Sequence, residues 1–376
     1  MTFPGPGHLA LIDRIREEIR AAGPLTFARF MELALHHPRY GYYAAGPRRL
    51  GECGDFITAS DLGPAFGRAV ARQIAEFDRR CGEPDPFDIV EIGAGRGSLA
   101  RDILGASECL GDGLRRRVRY TAVDASKGMR RAIAETVPAI RIVDEPPGAT
   151  TGCVLAVELF DALPIHRIAR RDGRLVEIGV GWDGARLHDA LLEPNREVRA
   201  WAKRYGAAAE EGFEAEVCLG LREQVSRWDR GIERGFAIVL DYGDTADRLY
   251  TAARKRGTLL AYHAQRAGEE YLARIGEQDL TAHVNFSALT DAAEAAGWSL
   301  AGHTTQDRFL IANGILESFE QMDDAAYRDP RRIRERMGIK QLIQSTGMGR
   351  MFQAWVFCKG FDTVPPLDGL SDPFAR

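Results

Sequence analysis

The segment 88–99 (DIVEIGAGRGSL) constrains the fold of this chain more than any other. A short apolar run is followed by glycines at alternate positions, Gly93, Gly95 and Gly97, and a helical pattern begins at Ser98. This order predicts a buried strand, a tight turn and the N-terminus of a helix. Glycine allows the positive φ angles of such a turn, and exposed main-chain N–H groups with the helix dipole favour a bound carboxylate or phosphate there.

Two acids near this turn narrow the choice of ligand. Dinucleotide-binding turns space their glycines G-x-G-x-x-G, whereas this turn reads G-x-G-x-G. Glu91 precedes the first glycine and suits a ligand with an ammonium group, and Asp124, after a second predicted strand, suits the two hydroxyls of a ribose. S-adenosylmethionine has both features, so we predict that these acids and the three glycines bind it. The alternative is a purely structural turn with Asp124 as a helix N-cap, although Ser126 can cap that helix itself.

Composition disfavours several classes of protein. The chain has 376 residues, a hydrophobic fraction of 45% and a net charge of −4 without a basic stripe, so no nucleic acid is expected as a partner. Its six cysteines form no C-x-x-C pair and no metal-ligand spacing, which predicts reduced thiols and no metal. We see no apolar signal sequence and no run long enough to span a bilayer. A cytoplasmic protein without a membrane span is therefore expected.

Alternating strand and helix patterns predict an α/β fold with a parallel, Rossmann-like sheet. Strands are predicted at 88–92, 119–123, 140–143, 152–157, 235–243, 298–304 and 354–358, and helices at 8–36 with a break at Gly23-Pro24, at 62–80, 98–104, from Lys127, at 217–233 and at 287–296. A hairpin is predicted at Asp172-Gly173 and a polar loop at 257–286. We accordingly divide the chain into a helical N-terminal extension (1–82), an α/β core (83–164 and 235–376) and a substrate-side insertion of a hairpin and helices (165–234).

The segment 54–61 (GDFITASD) precedes the helix predicted at 62–80. Its Gly-Asp start and clustered hydroxyls are typical of a loop that binds a polar ligand, so Asp55 and Thr58 are predicted to cover the cofactor. Phe56 either stacks on a ring or fills core, and core is the commoner role. The segment can equally form an N-cap box for the following helix, with Ser60 or Asp61 as the cap.

The chain resembles the MidA-like class I methyltransferases, a family that includes the mitochondrial complex I assembly factor that methylates an arginine. The matching segments are 31–35 (MELAL), 37–43 (HPRYGYY), 54–58 (GDFIT), 66–67 (FG), 91–99, 158–166 (ELFDALPIH), 241–243 (DYG) and 276–284 (GEQDLTAHV). The resemblance implies a class I methyltransferase fold, S-adenosylmethionine as cofactor, and a protein arginine as acceptor, for example in a core subunit of respiratory NADH dehydrogenase. The chain departs from the family at Val157, where asparagine is usual, and has Asp124 in place of glutamate.

Carboxylates after the predicted strands are the candidates to hold an arginine. Methyl transfer needs the cofactor and the nucleophile in line, and a guanidinium, with a pKa above about 12, needs carboxylates that fix it in a fork geometry. Ligands gather at the C-terminal ends of strands in α/β sheets. Glu158 and Asp161, after the fourth strand, and Asp241, after the fifth, are therefore predicted as catalytic. The alternatives are an exposed helix cap for the first two and a turn residue for Asp241.

Four further residues complete the predicted site. Glu277 and Asp279, separated by one residue in the 257–286 loop, are predicted to grip a basic substrate side chain, with ordinary surface acids as the alternative. His166 is predicted as catalytic and His283 as substrate-binding, because each can take the proton that the product amine releases. A buried, hydrogen-bonded histidine is the commoner role of such residues.

The predicted function is S-adenosylmethionine-dependent transfer of a methyl group to a protein side chain, by resemblance an arginine. A non-catalytic S-adenosylmethionine-binding assembly factor and a small-molecule methyltransferase are the alternatives. The glycine spacing disfavours a dehydrogenase, and a Ser-His-Asp hydrolase lacks a nucleophile-elbow sequence here. The sequence leaves the oligomeric state open, a homodimer included.

Overall fold

The computed structural model describes residues 5–49, 54–55, 57–148, 150–320 and 329–374. The chain forms two compact units, which we name the accessory unit (residues 1–56, 160–223 and 243–291) and the central-sheet unit (57–159, 224–242 and 292–376). These boundaries differ from the division predicted at residues 82, 164 and 234, which stays a prediction about functional domains.

The predicted α/β fold class is confirmed by the secondary structure. The helices are α1 (Leu9–Ala22), α2 (Phe27–His36), α3 (Pro64–Cys81), α4 (Ser98–Gly105), α5 (Ser107–Arg117), α6 (Lys127–Thr136), α7 (Arg196–Tyr205), α8 (Leu221–Gly231), α9 (Ala246–Leu249), α10 (Phe286–Ala295), α11 (Gln306–Ala312), α12 (Glu317–Glu320), α13 (Pro330–Ile343) and α14 (Met348–Met351). The strands are β1 (Phe87–Ile92), β2 (Val118–Val123), β3 (Arg141–Val143), β4 (Thr151–Val157), β5 (His166–Arg171), β6 (Arg174–Trp182), β7 (Leu187–Leu192), β8 (Glu214–Val217), β9 (Arg234–Asp244), β10 (Leu260–His263), β11 (Arg266–Gly268), β12 (Asp279–Thr281), β13 (Val284–Asn285), β14 (Ser299–Thr305) and β15 (Phe352–Lys359).

The central-sheet unit is built on strands in the order β14-β15-β9-β4-β1-β2-β3. The pairs from β9 to β3 are parallel, whereas β15 is antiparallel to both β9 and β14. All six residues of β1 are buried, which is why this strand reads as a nearly continuous apolar run in the sequence. Every strand predicted for this sheet is present, with ends shifted by two residues at most.

Helix α3 packs closely on α4 in the same unit. The helix begins at Pro64, where proline suits the first turn, and ends at Gly82 in the left-handed conformation. A Cβ at Gly67 would lie 2.4 Å from the Cβ of Asp102 on α4. The Phe-Gly pair of the family resemblance is therefore explained by helix packing.

The accessory unit contains two smaller sheets, with strand orders β7-β6-β5-β8 and β11-β10-β12. The hairpin predicted at Asp172-Gly173 is confirmed, since these residues join β5 to β6 with φ angles of 50° and 73°. The prediction of 257–286 as a polar loop is wrong in part. It contains β10, β11 and β12, and strands of three or four residues are too short to show a periodic pattern.

Three properties of the described residues bear on the sequence predictions. No described helix combines the length and the apolar composition needed to cross a membrane. Within the same residues there is no group of three or more metal-ligating side chains. The five cysteines in the described ranges are unbridged thiols, three of them buried, and Cys53 lies outside these ranges.

Candidate functional site

The main-chain N–H groups of the glycine turn in the central-sheet unit donate mainly to acceptors at the end of β2. The φ angles of Gly93 and Gly95 are 76° and 55°, as predicted. However, the N–H groups of Gly93 and Ala94 donate to the carbonyl oxygen of Val123, at 2.8 and 3.3 Å, and that of Gly95 donates to Asp124 Oδ2 at 3.2 Å. These three amides are therefore bonded within the chain, because the turn wraps around the end of β2, and cofactor binding by Gly93, Gly95 and Gly97 stays a prediction.

The start of α4 keeps the properties of an anion site. Gly97, with φ of 79°, is the N-cap residue, and no described side chain caps the helix. The first N–H groups of a helix and its dipole favour a carboxylate. Packing also demands glycine at the turn, because a Cβ at Gly93 would lie 2.9 Å from Leu159 Cδ1. The carboxylate end of S-adenosylmethionine thus fits α4 better than the turn itself.

Asp124 lies at the carboxyl end of β2 and is held in place by the main chain. Its Oδ2 accepts from Gly95 N–H and its Oδ1 accepts from Ser126 N–H at 2.8 Å. Burial raises its pKa to about 6 despite these donors. Ser126 caps α6 by accepting from Met129 N–H, so helix capping is not the task of Asp124. Each carboxylate oxygen retains a second lone pair, which fits the two hydroxyls of a ribose.

Glu91 lies within β1 and is only 4% exposed. Its Oε2 accepts from the hydroxyl of Tyr120 at 2.8 Å, and burial raises its pKa to about 8. The contact of Glu91 with the ammonium group of the cofactor stays a prediction.

The segment 57–61 is tied to the glycine turn and to the end of β4. Thr58 and Asp61 form a capping box around the short turn 59–61, with the hydroxyl of Thr58 donating to Asp61 Oδ2 at 3.0 Å. The alternative of Ser60 or Asp61 as the cap of the following helix is wrong, because the N-cap residue of α3 is Gly63 and no described side chain caps that helix. Asp61 also pairs with Arg96, which lies inside the turn. The N–H of Ala59 donates to Glu158 Oε1 at 2.8 Å. These bonds bring three predicted site segments of the central-sheet unit together, and the role of Thr58 in cofactor binding stays a prediction.

Glu158 stands at the carboxyl end of β4 in a strained backbone conformation. Its φ is 50°, which is unusual for a residue with a side chain and is often associated with functional sites. Asp241 is fully buried, and its Oδ2 accepts from Leu159 N–H at 3.2 Å, so it fixes the main chain next to Glu158. Val157 pairs with Leu240 of β9 and packs against the apolar core.

The accessory unit contains a cluster of buried acids. Asp279 is 2% exposed, and its Oδ1 accepts from the hydroxyl of Tyr43 at 3.0 Å. Burial raises its pKa well above the ordinary value, and the negative charges of Asp161 and Asp55 raise it further. Asp161 is 5% exposed, and burial raises its pKa to about 7. We name Asp55, Asp161, Asp279 and Tyr43 the acid cluster.

Asp55 has a structural task in this unit. Its Oδ1 accepts from Ala264 N–H at 2.8 Å and lies 3.2 Å from His263 Nδ1, and its Oδ2 accepts from the hydroxyl of Tyr42 at 3.0 Å. These bonds hold the turn between β10 and β11, and they give both carboxylate oxygens of Asp55 a partner within the chain. Cofactor binding by Asp55 stays a prediction. Phe56 lies outside the described residues.

His166, His283 and Glu277 are the remaining predicted residues of the accessory unit. His166 Nδ1 lies 2.6 Å from Oε1 of the buried Glu177. Burial lowers the pKa of His283 to about 4, assisted by the charge of Arg254, so this ring is neutral near pH 7. Glu277 is half-buried and its carbonyl oxygen contacts His263. Their catalytic and substrate-binding roles stay predictions.

Sequence reasoning did not identify Tyr43, His263 or Arg96. Tyr43 lies in the turn 37–43, and the density of aromatic residues there is the sequence feature that could have pointed to it. The only sequence feature that could have pointed to Arg96 is its position inside the glycine turn. No sequence feature pointed to His263, because its strand, β10, was not predicted.

Comparison with known proteins identifies the class of enzyme. Residues 69–304 match the family described as "Putative S-adenosyl-L-methionine-dependent methyltransferase". A COG1565 superfamily member from Burkholderia thailandensis, crystallised with S-adenosyl-homocysteine, is 31% identical, with a TM-score of 0.89 and 98% of each chain covered. The protein arginine methyltransferase NDUFAF7 homolog of Drosophila melanogaster is 29% identical over 92% of this chain and 84% of its own, and human NDUFAF7 is 27% identical over 91% and 82%.

These comparisons correct one prediction and confirm others. The curated relatives are named as mitochondrial proteins, so the predicted cytoplasmic location is contradicted. The class I methyltransferase fold, the cofactor S-adenosylmethionine and the resemblance to the MidA-like family are confirmed. Because the family match covers more than half of the sequence, the chain belongs to this family of S-adenosyl-L-methionine-dependent methyltransferases.

Proposed function

We propose that this methyltransferase modifies an arginine side chain of a protein partner. The relatives named above are protein arginine methyltransferases. The observation that carries the proposal is the acid cluster. In this cluster Asp279 is buried against Tyr43, and the negative charges of Asp161 and Asp55 raise its pKa. Repulsion among buried carboxylates is relieved by a cation, and a planar guanidinium is the cation that matches carboxylates in a fork geometry.

The chain's own residues have three tasks in this reaction. Bound S-adenosylmethionine would supply a methyl group on a sulfonium: the acceptor nitrogen would bond to the methyl carbon as the carbon–sulfur bond in line with it breaks, and neutral S-adenosylhomocysteine would leave. In the central-sheet unit, Asp124 and the start of α4 orient the ribose and the carboxylate end of the cofactor. In the accessory unit, Asp279 holds the guanidinium, and Tyr43 holds Asp279. Asp161, with a pKa of about 7, takes the proton that the methylated nitrogen loses.

Glu158 is the carboxylate of the central-sheet unit that we assign to the acceptor. Its strained backbone and its bond to Ala59 N–H fix the direction of its side chain. Asp241 is assigned a positioning role, since its carboxylate accepts from Leu159 N–H. The protein partner implied by the resemblance, a core subunit of respiratory NADH dehydrogenase, is the first acceptor to test.

The decisive experiment compares Asp279→Asn with the control Asp247→Asn, an exposed acid on α9. Each variant replaces the native protein in cells, and methylated arginines are counted by mass spectrometry. We expect Asp279→Asn to lose the modification while S-adenosylmethionine still binds in calorimetry, and Asp247→Asn to behave as the native protein. Unchanged arginine methylation in Asp279→Asn would contradict the proposal. Methyl groups found instead on a small molecule would favour the small-molecule alternative.

A non-catalytic assembly factor makes a different prediction. In that case Glu158→Gln, with cofactor binding intact, leaves the biological function of the protein unchanged. Loss of function in Glu158→Gln, together with loss of arginine methylation, would exclude this alternative.

A further inference from the structure

A second polar site lies in the accessory unit beside the short β10–β11 hairpin. It is a cavity of about 440 Å³, which falls in the range of about 300–1,000 Å³ that is usual for small-ligand sites. The side chains that matter for its chemistry are His263, Arg266, Glu270, Arg274 and Gln278, and small alanines and a glycine form the rest of the lining. The function proposed above assigns no role to the two arginines of this cavity.

The charges of the lining favour an anion. Among the residues that the structure describes, neither Arg266 nor Arg274 forms an ion pair within 4.0 Å, although most other arginines of the accessory unit do. Glu270 is the one acid of the described lining, so the lining keeps a net positive charge. Two guanidinium groups in a concave site suit a carboxylate, to which each can donate two hydrogen bonds.

The backbone around the cavity is strained. The φ angles of Ala264, Gln265 and Arg274 are 48°, 60° and 43°, and these are three of the seven described non-glycine residues with positive φ. Such conformations are unfavourable for a residue with a side chain and persist where neighbouring bonds impose them. Here the turn is held by Asp55, and Arg274 N–H donates to the carbonyl of Gly5 at 3.0 Å. The main chain of the lining at Ala264 and Arg274 is therefore held in place by bonds within the chain.

The cavity adjoins the acid cluster within the same unit. His263 lines the cavity, and its Nδ1 lies 3.2 Å from Asp55 Oδ1. Gln278, also in the lining, directly precedes Asp279 in the chain. A positive cavity and a negative cluster thus lie on the two sides of one His263–Asp55 contact. A ligand with complementary charges, one positive and one negative, matches both.

We propose that the cavity receives an acidic side chain of the protein substrate, close in sequence to the arginine that is methylated. This inference rests on the proposed function, because it assumes that the acid cluster holds the arginine. Arg266 and Arg274 bind the substrate carboxylate and so act as specificity residues, and Glu270 weakens that binding by repulsion.

The test uses the full-length protein and synthetic peptides with one central arginine. A single aspartate is moved through the flanking positions, and each peptide has counterparts with asparagine and with lysine at the same position. Methyl transfer gives KM and kcat, and fluorescence anisotropy in the presence of S-adenosylhomocysteine gives binding. We expect one register at which aspartate lowers KM about tenfold relative to asparagine with kcat unchanged, as charge-assisted hydrogen bonds predict.

Charge reversal identifies the residues responsible. Arg266→Glu/Arg274→Glu should lose the preference for aspartate and gain one for lysine, whereas Glu270→Gln should strengthen the preference. The matched control reverses two exposed arginines of the same unit outside the cavity, Arg186→Glu/Arg248→Glu, and should keep the native preference. Arg266→Gln, a milder change of an exposed side chain, covers the case in which the double variant does not fold.

Two outcomes would overturn the inference, and they differ in meaning. Equal KM values for aspartate and asparagine peptides, or a preference that survives Arg266→Glu/Arg274→Glu, would refute the carboxylate site and leave the proposed function standing. If S-adenosylmethionine binds but no arginine peptide binds or is methylated, the arginine assignment itself fails, and the inference fails with it.

Discussion

Replacing Glu91 by glutamine should make the central-sheet unit more stable in alkaline solution. Glu91 is buried in β1 and accepts a hydrogen bond from Tyr120, and burial raises its pKa from the ordinary 4.5 to about 8. Glutamine has nearly the same shape, keeps an oxygen for the Tyr120 hydroxyl and never carries the charge that burial disfavours. The effect of the substitution must therefore depend on pH.

The sign and size follow from the difference in pKa between the folded and unfolded states. Below about pH 4.5 both states keep the proton, so ionisation of Glu91 does not alter stability. Between pH 4.5 and 8 the unfolded chain releases the proton and the folded protein does not, so stability falls as the pH rises, and the fall ends above pH 8. At about 1.36 kcal/mol per pKa unit, this group removes on the order of 4 kcal/mol of folding free energy between pH 5 and pH 9.

The assay is urea unfolding of the native protein and Glu91→Gln at several pH values. With two compact units, two transitions are expected, and S-adenosylhomocysteine identifies the one that belongs to the central-sheet unit by shifting it. Glu135→Gln, at an exposed glutamate on α6, is the matched control and should follow the native curve. A constant difference between native protein and Glu91→Gln from pH 5 to pH 9 would refute the reasoning, because it would mean that Glu91 does not titrate differently in the folded state.

Three further predictions concern the cofactor turn and the acid cluster. Gly93→Ala should lose about 1 kcal/mol more stability than Gly111→Ala and bind S-adenosylmethionine more weakly in calorimetry, since both glycines have φ above 70° but only Gly93 would press a Cβ against Leu159. Asp124→Asn should weaken S-adenosylmethionine binding about tenfold, as a lost hydrogen bond to a charged group predicts, and unchanged affinity would remove Asp124 from the site. kcat/KM for an arginine substrate should rise as the pH passes about 7, where Asp161 ionises, and this rise should vanish in Asp161→Asn.

The sequence predicted the central-sheet unit well because most of its strands are long, and β1, β4, β9 and β15 are almost entirely buried. The predicted strand 88–92 is found at Phe87–Ile92 and the helix predicted from Lys127 begins there. These elements carry an apolar run or a helical period over at least five residues, and glycine or proline marks their ends. The prediction that Asp124 and Glu158 follow the carboxyl ends of strands agrees with the structure, in which parallel strands bring these ends to one edge of the sheet, whereas their roles stay predictions.

The accessory unit was harder to predict for two physical reasons. Strands β10, β11 and β12 have three or four residues each and are stabilised by pairing with one another, which a local pattern does not reveal. The tasks of individual acids depend on partners far away in the chain. Asp55 accepts from Ala264 N–H, and Asp279 accepts from the hydroxyl of Tyr43, over sequence separations of 209 and 236 residues. From the residue type alone we could predict that each of these acids binds a polar group, but not which polar group it binds.

The donors that surround each acid separate structural carboxylates from those that remain able to hold a substrate. Glu216 accepts from the N–H groups of Thr258 and Leu259 and from the hydroxyl of Thr258, so its oxygens are committed to the chain. Asp279 accepts from the hydroxyl of Tyr43 and from the N–H of the next residue, both through Oδ1. Main-chain donors stabilise the charged form of a carboxylate, whereas neighbouring carboxylates destabilise it. Burial raises the pKa of both acids, but the charges of Asp161 and Asp55 raise that of Asp279 further, so Asp279 is the acid that gains most from a bound cation.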